Sequence, residues 1–196
     1  MELIMLLDCL AIGPYQTNCY IFGDEETKEV VVIDAGENIE VLMERIKEKG
    51  YKVQKILITH GHFDHTKGIV KLKDFTGSKV LMCEQDVCML SNPDCIDQLI
   101  KDGDKIDIGG VTLNVIQTPG HTKGGVCFQS GNILFAGDTL FNQSIGRTDL
   151  QGGNYDELIQ SIKEKLLTMA DDVTVYPGHG PATTIGKERQ ANPYLS

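Results

Sequence analysis

Apolar residues recur along the chain with two periods, and the switch between them outlines the elements. Residues 3 to 7, Cys19 to Phe22 and Val30 to Ile33 run apolar or alternate, separated by Gly13-Pro14 and by Gly23-Asp24-Glu25-Glu26. Short apolar runs bounded by turn residues predict an opening β-meander. Asp34-Ala35-Gly36 closes the third strand, and Ile39, Leu42, Met43 and Ile46 then share one face of a helix that stops at Gly50. Lys55 to Ile58 predicts a short buried strand, Thr66 to Phe75 a helix and Lys79 to Met82 a further strand. Glu84 to Leu90 predicts a short helix broken at Asn92-Pro93, with a loop or helical turn over Asp94 to Lys101.

From Gly103 onward strand character dominates. A hairpin is predicted around Gly109-Gly110, with Val111, Leu113 and Val115 alternating toward Pro119-Gly120, and strands follow at Gly125 to Gln129 and Ile133 to Ala136. Residues 142 to 153 are polar and without period, so they form a loop of the kind that often contacts substrate. Asn154, with Glu157 three residues on, reads as a helix N-cap before the apolar face Tyr155, Leu158, Ile159, Ile162 and Leu166. Val173 to Tyr176 is the last predicted strand. His65-Thr66-Lys67-Gly68 and His121-Thr122-Lys123-Gly124 share four letters, a faint echo that hints at two related β-β-α halves. Sheets need cover on both faces, and each helix offers one apolar stripe. The pattern therefore predicts an α/β fold of two mixed sheets face to face, helices outside, with residues 1–196 as one domain.

Composition narrows the class. A net charge of −10 disfavours nucleic acid as partner, because phosphate binding relies on clustered Lys and Arg. The six cysteines show no CxxC pair or framework spacing, which predicts free thiols in a reducing compartment, hence a cytoplasmic protein. The apolar run from Leu3 to Leu7 lacks a basic region before it and is interrupted by Asp8, so neither a signal peptide nor a membrane span is expected.

The chemistry concentrates in His60-Gly61-His62-Phe63-Asp64-His65, on a strand-to-helix loop. In an extended loop the side chains at i and i+2 point the same way, so His60 and His62 can pinch one ion. Asp64 and His65, where the helix begins, are turned toward a second. Imidazole and carboxylate suit zinc, iron or manganese. The two remaining histidines, His121 and His179, each follow a Pro-Gly and a strand-like run, and Gly137-Asp138 ends another. Every histidine and one further carboxylate thus lie just past the C-terminal end of a predicted strand, where α/β folds gather ligands. Asp34 is either a support for this loop or a turn cap.

In order, His60, His62, Asp64, His65, His121, Asp138 and His179 resemble the complete ligand set of the metallo-β-lactamase superfamily, and the resemblance spans the chain. Within it the sequence is similar to the short glyoxalase II-like (hydroxyacylglutathione hydrolase) enzymes, through Thr59-His60-Gly61-His62, Pro119-Gly120-His121-Thr122, Ala136 to Phe141, Gly146-Arg147-Thr148-Asp149 and Tyr176 to Gly180. The resemblance implies the αββα sandwich and two divalent metal ions, with His60, His62 and His121 on one, Asp64, His65 and His179 on the other, and Asp138 bridging. It implies hydrolysis of a small acyl-thiol substrate, with Asp64 and Asp138 also orienting the attacking hydroxide. The best-known β-lactamases carry a cysteine where Asp138 stands, so antibiotic hydrolysis is not expected. Longer glyoxalase II enzymes add a helical segment that contacts glutathione, and a Lys and a Tyr after the bridging aspartate; here the sequence ends at Ser196, and Arg147 and Asp149 occupy the latter stretch. Arg147 is the candidate for a substrate carboxylate, the alternative being a solvated charge; Lys67 and Lys123 read as surface charges. Rival readings are an iron-dependent persulfide dioxygenase, which shares the ligand set and the Gly-Arg-Thr-Asp stretch, a lactonase or phosphodiesterase, and a non-catalytic zinc module. Oligomeric state is not legible.

Overall fold

The computed structural model describes residues 4–195, so Leu3, placed in the first predicted strand, and Ser196 lie outside the described residues. Strands β1 (Met5–Ile12), β2 (Thr17–Asp24) and β3 (Glu29–Ile33) form the expected antiparallel meander. Helix α1 (Glu40–Lys49) follows, and Gly50 ends it in the left-handed conformation at φ 68°. β4 (Lys52–Leu57), β5 (Lys79–Cys83) and β6 (Gln98–Ile100) then extend the sheet in parallel, giving the order β1-β2-β3-β4-β5-β6. The second sheet runs β14-β13-β10-β9-β8-β7, built from β7 (Lys105–Ile108), β8 (Val111–Gln117), β9 (Val126–Ser130), β10 (Ile133–Gly137), β13 (Thr174–Pro177) and β14 (Thr183–Thr184). Among the described residues its only parallel pair is β10 with β13.

The layers follow from alternation along each strand. In β3, Val31 and Ile33 face the second sheet, packing with Phe22, Leu57, Leu113, Phe128 and Phe135. Val30 and Val32 point the opposite way, onto Leu42 and Ile46 of α1 and onto Ile69 and Leu72 of α3 (Ile69–Thr76), and the short helix expected from Glu84 follows β5 as α4 (Glu84–Val87). On the far side, Leu134 and Val175 pack against Leu158 of α5 (Tyr155–Ser161), Ile162 and Leu166 of the π-helical turn that continues it, and Ile185 of α6 (Ile185–Ala191). The fold is an αββα sandwich of two mixed sheets.

Several boundaries differ from the sequence reading. The helix expected from Thr66 begins at Phe63 as α2 (Phe63–Thr66) and breaks before α3, because the Gly68 N–H donates to Ala35 O (2.8 Å) instead of continuing the helical ladder. Residues 94 to 101 contain edge strand β6, whose three residues are too few to show a period. Within the loop expected at 142 to 153, β12 (Ser144–Ile145) pairs back on β11 (Leu140–Phe141). Asn154 caps α5 as expected, accepting from Glu157 N (3.2 Å), whereas Tyr155 is exposed rather than part of the buried face. The shared His-Thr-Lys-Gly tetrapeptide differs in its first half, where His65-Thr66 close α2 and His121-Thr122 form a bend, while both Lys-Gly pairs are turns.

Candidate metal centre

Four chain segments converge at the C-terminal edge of the paired sheets. His60, His62, Asp64 and His65 lie between β4 and the end of α2, His121 follows β8, Asp138 follows β10 and His179 follows β13. All seven candidate ligands therefore come together. His62 Nδ1 lies 2.9 Å from His121 Nε2, and His65 Nε2 lies 3.2 Å from His179 Nε2. Asp64 Oδ2 is 3.2 Å from His179 Nε2 and 3.5 Å from His65 Nε2. Asp138 stands between the two groups, Oδ1 at 3.4 Å from His65 Nε2 and Oδ2 at 3.6 Å from both His121 Nε2 and His179 Nε2. Three sets of donors fall within metal-sharing distance: His60, His62 and His121; His60, His65 and Asp138; and Asp64, His65 and His179.

The surrounding hydrogen bonds decide which nitrogen each ring presents. A carbonyl only accepts, so His121 Nδ1 donates to Arg147 O (2.7 Å) and His179 Nδ1 to Tyr15 O (3.0 Å). His65 Nδ1 donates to Asp34 Oδ2 (2.8 Å). Thr59 Oγ1 gives its hydrogen to the same carboxylate (2.8 Å) and accepts from His60 Nδ1 (3.0 Å). In their neutral form these four imidazoles therefore present Nε2 to the centre as an acceptor. Asp34 supports the loop rather than merely capping a turn, and it also accepts from Thr59 N.

Electrostatics favour a cation here. Burial, reinforced by His65 and His121, pushes His60 well below its ordinary pKa, and burial with His121 lowers His62. Burial opposes the charge on His65, but Asp138 and Asp34 outweigh it and hold that ring well above the ordinary value. Burial alone would raise Asp64; His179 and His65 reverse this and bring it to about 2. Asp138 is likewise lowered, mainly by His65 against its own burial. His60 Nε2 and Asp138 Oδ1 are buried without a hydrogen-bond partner. Unsatisfied buried acceptors facing one another are costly, and a divalent ion satisfies all of them at once. The residues fit the metal that the donor set implies.

Close backbone approach completes the site. A Cβ on Gly178 would fall 2.2 Å from Asp138 Oδ1, so only glycine lets the His179 loop reach it. Asn18 Nδ2 and Tyr20 Oη both donate to Pro177 O and hold that loop from β2. Asp86, fully buried, accepts from Gly61 N (2.9 Å) and Gly124 N (2.7 Å), tying the His60 loop to the His121 loop. Sequence reading missed Asp86, Asn18 and Tyr20, since nothing in their spacing marks a partner so distant along the chain. Arg147 lines the cleft above the centre, exposed, with its guanidinium held by Asp149 through Nε (2.7 Å) and Nη2 (2.8 Å). The cleft has a volume of about 870 Å³.

Residues 12–179 match the metallo-β-lactamase superfamily, and the chain belongs to it, a family of metal-dependent hydrolases. The hydroxyacylglutathione hydrolase GloC of Haemophilus influenzae is 34% identical, over 98% of this chain and 99% of that protein. Among solved structures, the chain superposes on the BLEG-1 B3 metallo-β-lactamase with a TM-score of 0.92 at 35% identity, covering 97% of this chain and 100% of that one. It also superposes on TTHA1623 in a di-iron-bound form, with a TM-score of 0.85 at 31% identity over 96% of this chain and 100% of that one.

Proposed function

We propose that this protein is a dinuclear metal-dependent hydrolase of acyl thioesters, glyoxalase II-like, with an S-2-hydroxyacylglutathione as the first substrate to test. The observation that carries the reading is the pair of bare donor sets meeting at Asp138 on the floor of the cleft. In it His60, His62 and His121 would hold one ion and Asp64, His65 and His179 the other, with Asp138 within reach of both sets. Divalent ions bound there supply a water of near-neutral pKa and a polarised acyl oxygen. Zinc suits the nitrogen and carboxylate donors, and iron and manganese accept them too.

The chain's own groups position the reactants. Asp64 and Asp138 would accept hydrogen bonds from the attacking water and aim it at the acyl carbon. Arg147 O and Tyr15 O keep His121 and His179 in the tautomer that leaves Nε2 bare. The C–O bond forms, the C–S bond then breaks so that a thiolate leaves without a strong general acid, and the water's protons pass to the departing sulfur and to solvent. The Arg147 guanidinium is the candidate contact for a carboxylate on the thiol carrier, exchanging Asp149 for it. The substrate is a small molecule rather than nucleic acid, consistent with the charge of −10. Six free cysteines support a reducing, cytoplasmic setting.

The test is loss of thioester absorbance when fully metallated protein meets S-lactoylglutathione, with His121→Ala as control. Turnover that disappears in the variant is expected, and inertness of the metallated wild type would sink the reading. A second reading, persulfide oxidation, draws on the 31% identity to a di-iron-bound chain and on Gly146-Arg147-Thr148-Asp149. Oxygen uptake by the iron-loaded protein on a glutathione persulfide would move the assignment there. Cleavage of a β-lactam would instead move it toward the BLEG-1 relative.

A further inference from the structure

The walls of the cleft carry information about the acyl group, given the thioester reading above. Tyr15 and Phe63 stand at its mouth and meet edge to face, ring centroids 5.3 Å apart and planes at 84°. Despite this contact they remain 57% and 53% exposed. Paired aromatic rings left open beside a reactive centre are apolar surface that a ligand can cover. Met89 continues the wall and is locked to the metal-binding loop: a Cβ on Gly61 would fall 2.8 Å from Met89 Cβ and 3.0 Å from its Sδ. Leu150 and Phe141 add to the apolar lining. Charge points the same way. Arg147 is the only Lys or Arg among the described residues lining the cleft, and Asp149 already holds its Nε and Nη2. A carboxylate on the acyl group would lose hydration against this wall and would compete with Asp149 for the Arg147 guanidinium.

We propose that the cleft selects uncharged acyl groups bearing an aromatic ring, seated on Tyr15, Phe63 and Met89, over acyl groups bearing a carboxylate. Water then cleaves the thioester to an aromatic carboxylic acid and the free thiol.

Thioesters of N-acetylcysteamine share one uncharged thiol, so only the acyl group varies. The phenylacetyl thioester is expected to exceed the acetyl thioester in kcat/KM by about tenfold, from burial of the ring. The succinyl thioester is expected to fall below the acetyl one. Tyr15→Ala and Phe63→Ala should each lower the phenylacetyl-to-acetyl ratio by about fivefold, through loss of ring packing. Both side chains are more than half exposed, so their truncation leaves no core cavity. Equal rates across the series, or succinyl the fastest, would overturn the proposal. Binding supplies a readout independent of turnover: calorimetry with S-(2-phenylethyl)-N-acetylcysteamine, a thioether that water does not cleave, beside its carboxyethyl counterpart. Preference for the phenyl thioether, weakened about fivefold in Tyr15→Ala, is expected. That preference without turnover of any thioester would sink the thioester reading and uphold the selectivity. Turnover with no preference in either assay would overturn the selectivity alone.

Discussion

Asp34 shows how one side chain can govern a centre it does not enter. Its backbone lies in the left-handed region at φ 62°, uncommon for a residue with a Cβ, and its carboxylate accepts from Thr59 N, Thr59 Oγ1 and His65 Nδ1. Backbone strain of this kind persists where the surroundings over-determine it. Replacing Asp34 by Ala frees the His65 ring to rotate and removes the charge behind it. Metal affinity is expected to fall by about 10–100-fold, the usual effect of losing a partner behind a ligating histidine. Competition against a chromogenic chelator measures this, and unchanged affinity would show that His65 is oriented by packing alone. At this scale the sequence was partly legible. The seven donors stood out because His and Asp fell at strand ends, whereas for Asp34 two roles remained open until the 2.8 Å contact with His65 separated them.

Helix α5 holds the His121 loop at the scale of elements. Gly120, at φ 132°, presses against the start of the helix so closely that a Cβ would lie 2.2 Å from Leu158 N and 2.3 Å from Leu158 Cα. Its carbonyl accepts from Asn154 N (2.7 Å), the residue that caps the same helix. Gly120→Ala must either push α5 off the second sheet or pull His121 from the centre. A loss of about 2–5 kcal/mol is expected from strain and overpacking combined, read by urea denaturation, together with a marked drop in hydrolysis. A variant of wild-type stability would show that the loop yields without cost. The main strands and helices were readable because apolar residues keep period 2 in the sheets and cluster on one face of each helix. β6, β12 and β14 were not, since two or three residues cannot display a period and their pairing is set by neighbours far along the chain. Short α6 escaped for a related reason: of its seven residues, Ile185 is the only large apolar one that is buried.

Across the whole molecule three apolar layers lock the sheets and helices together, and the metal centre sits where their strands end. Without a cation that edge leaves bare nitrogens facing one another and two buried acceptors unsatisfied. Metal removal is therefore expected to destabilise the fold as well as abolish hydrolysis. A ligand present at a thousandfold excess over its dissociation constant stabilises the native state by about 4 kcal/mol, so stripping with a chelator should lower Tm by several degrees, and adding zinc should restore it. A Tm indifferent to chelation would mean that the centre binds metal too weakly to matter for stability.

The sequence by itself determined the donor chemistry and the architecture. Residue type decides what can bind a metal, and the period of apolar residues decides which elements form and which faces they bury. Tertiary structure alone decided which side chains support the donors, as with Asp86 joining Gly61 to Gly124, and which ring nitrogen His60, His65, His121 and His179 turn to the centre. It also decided which apolar groups stay open, leaving Tyr15 and Phe63 at the mouth of the cleft. Those outcomes depend on contacts between residues distant along the chain, and local pattern holds no record of such contacts.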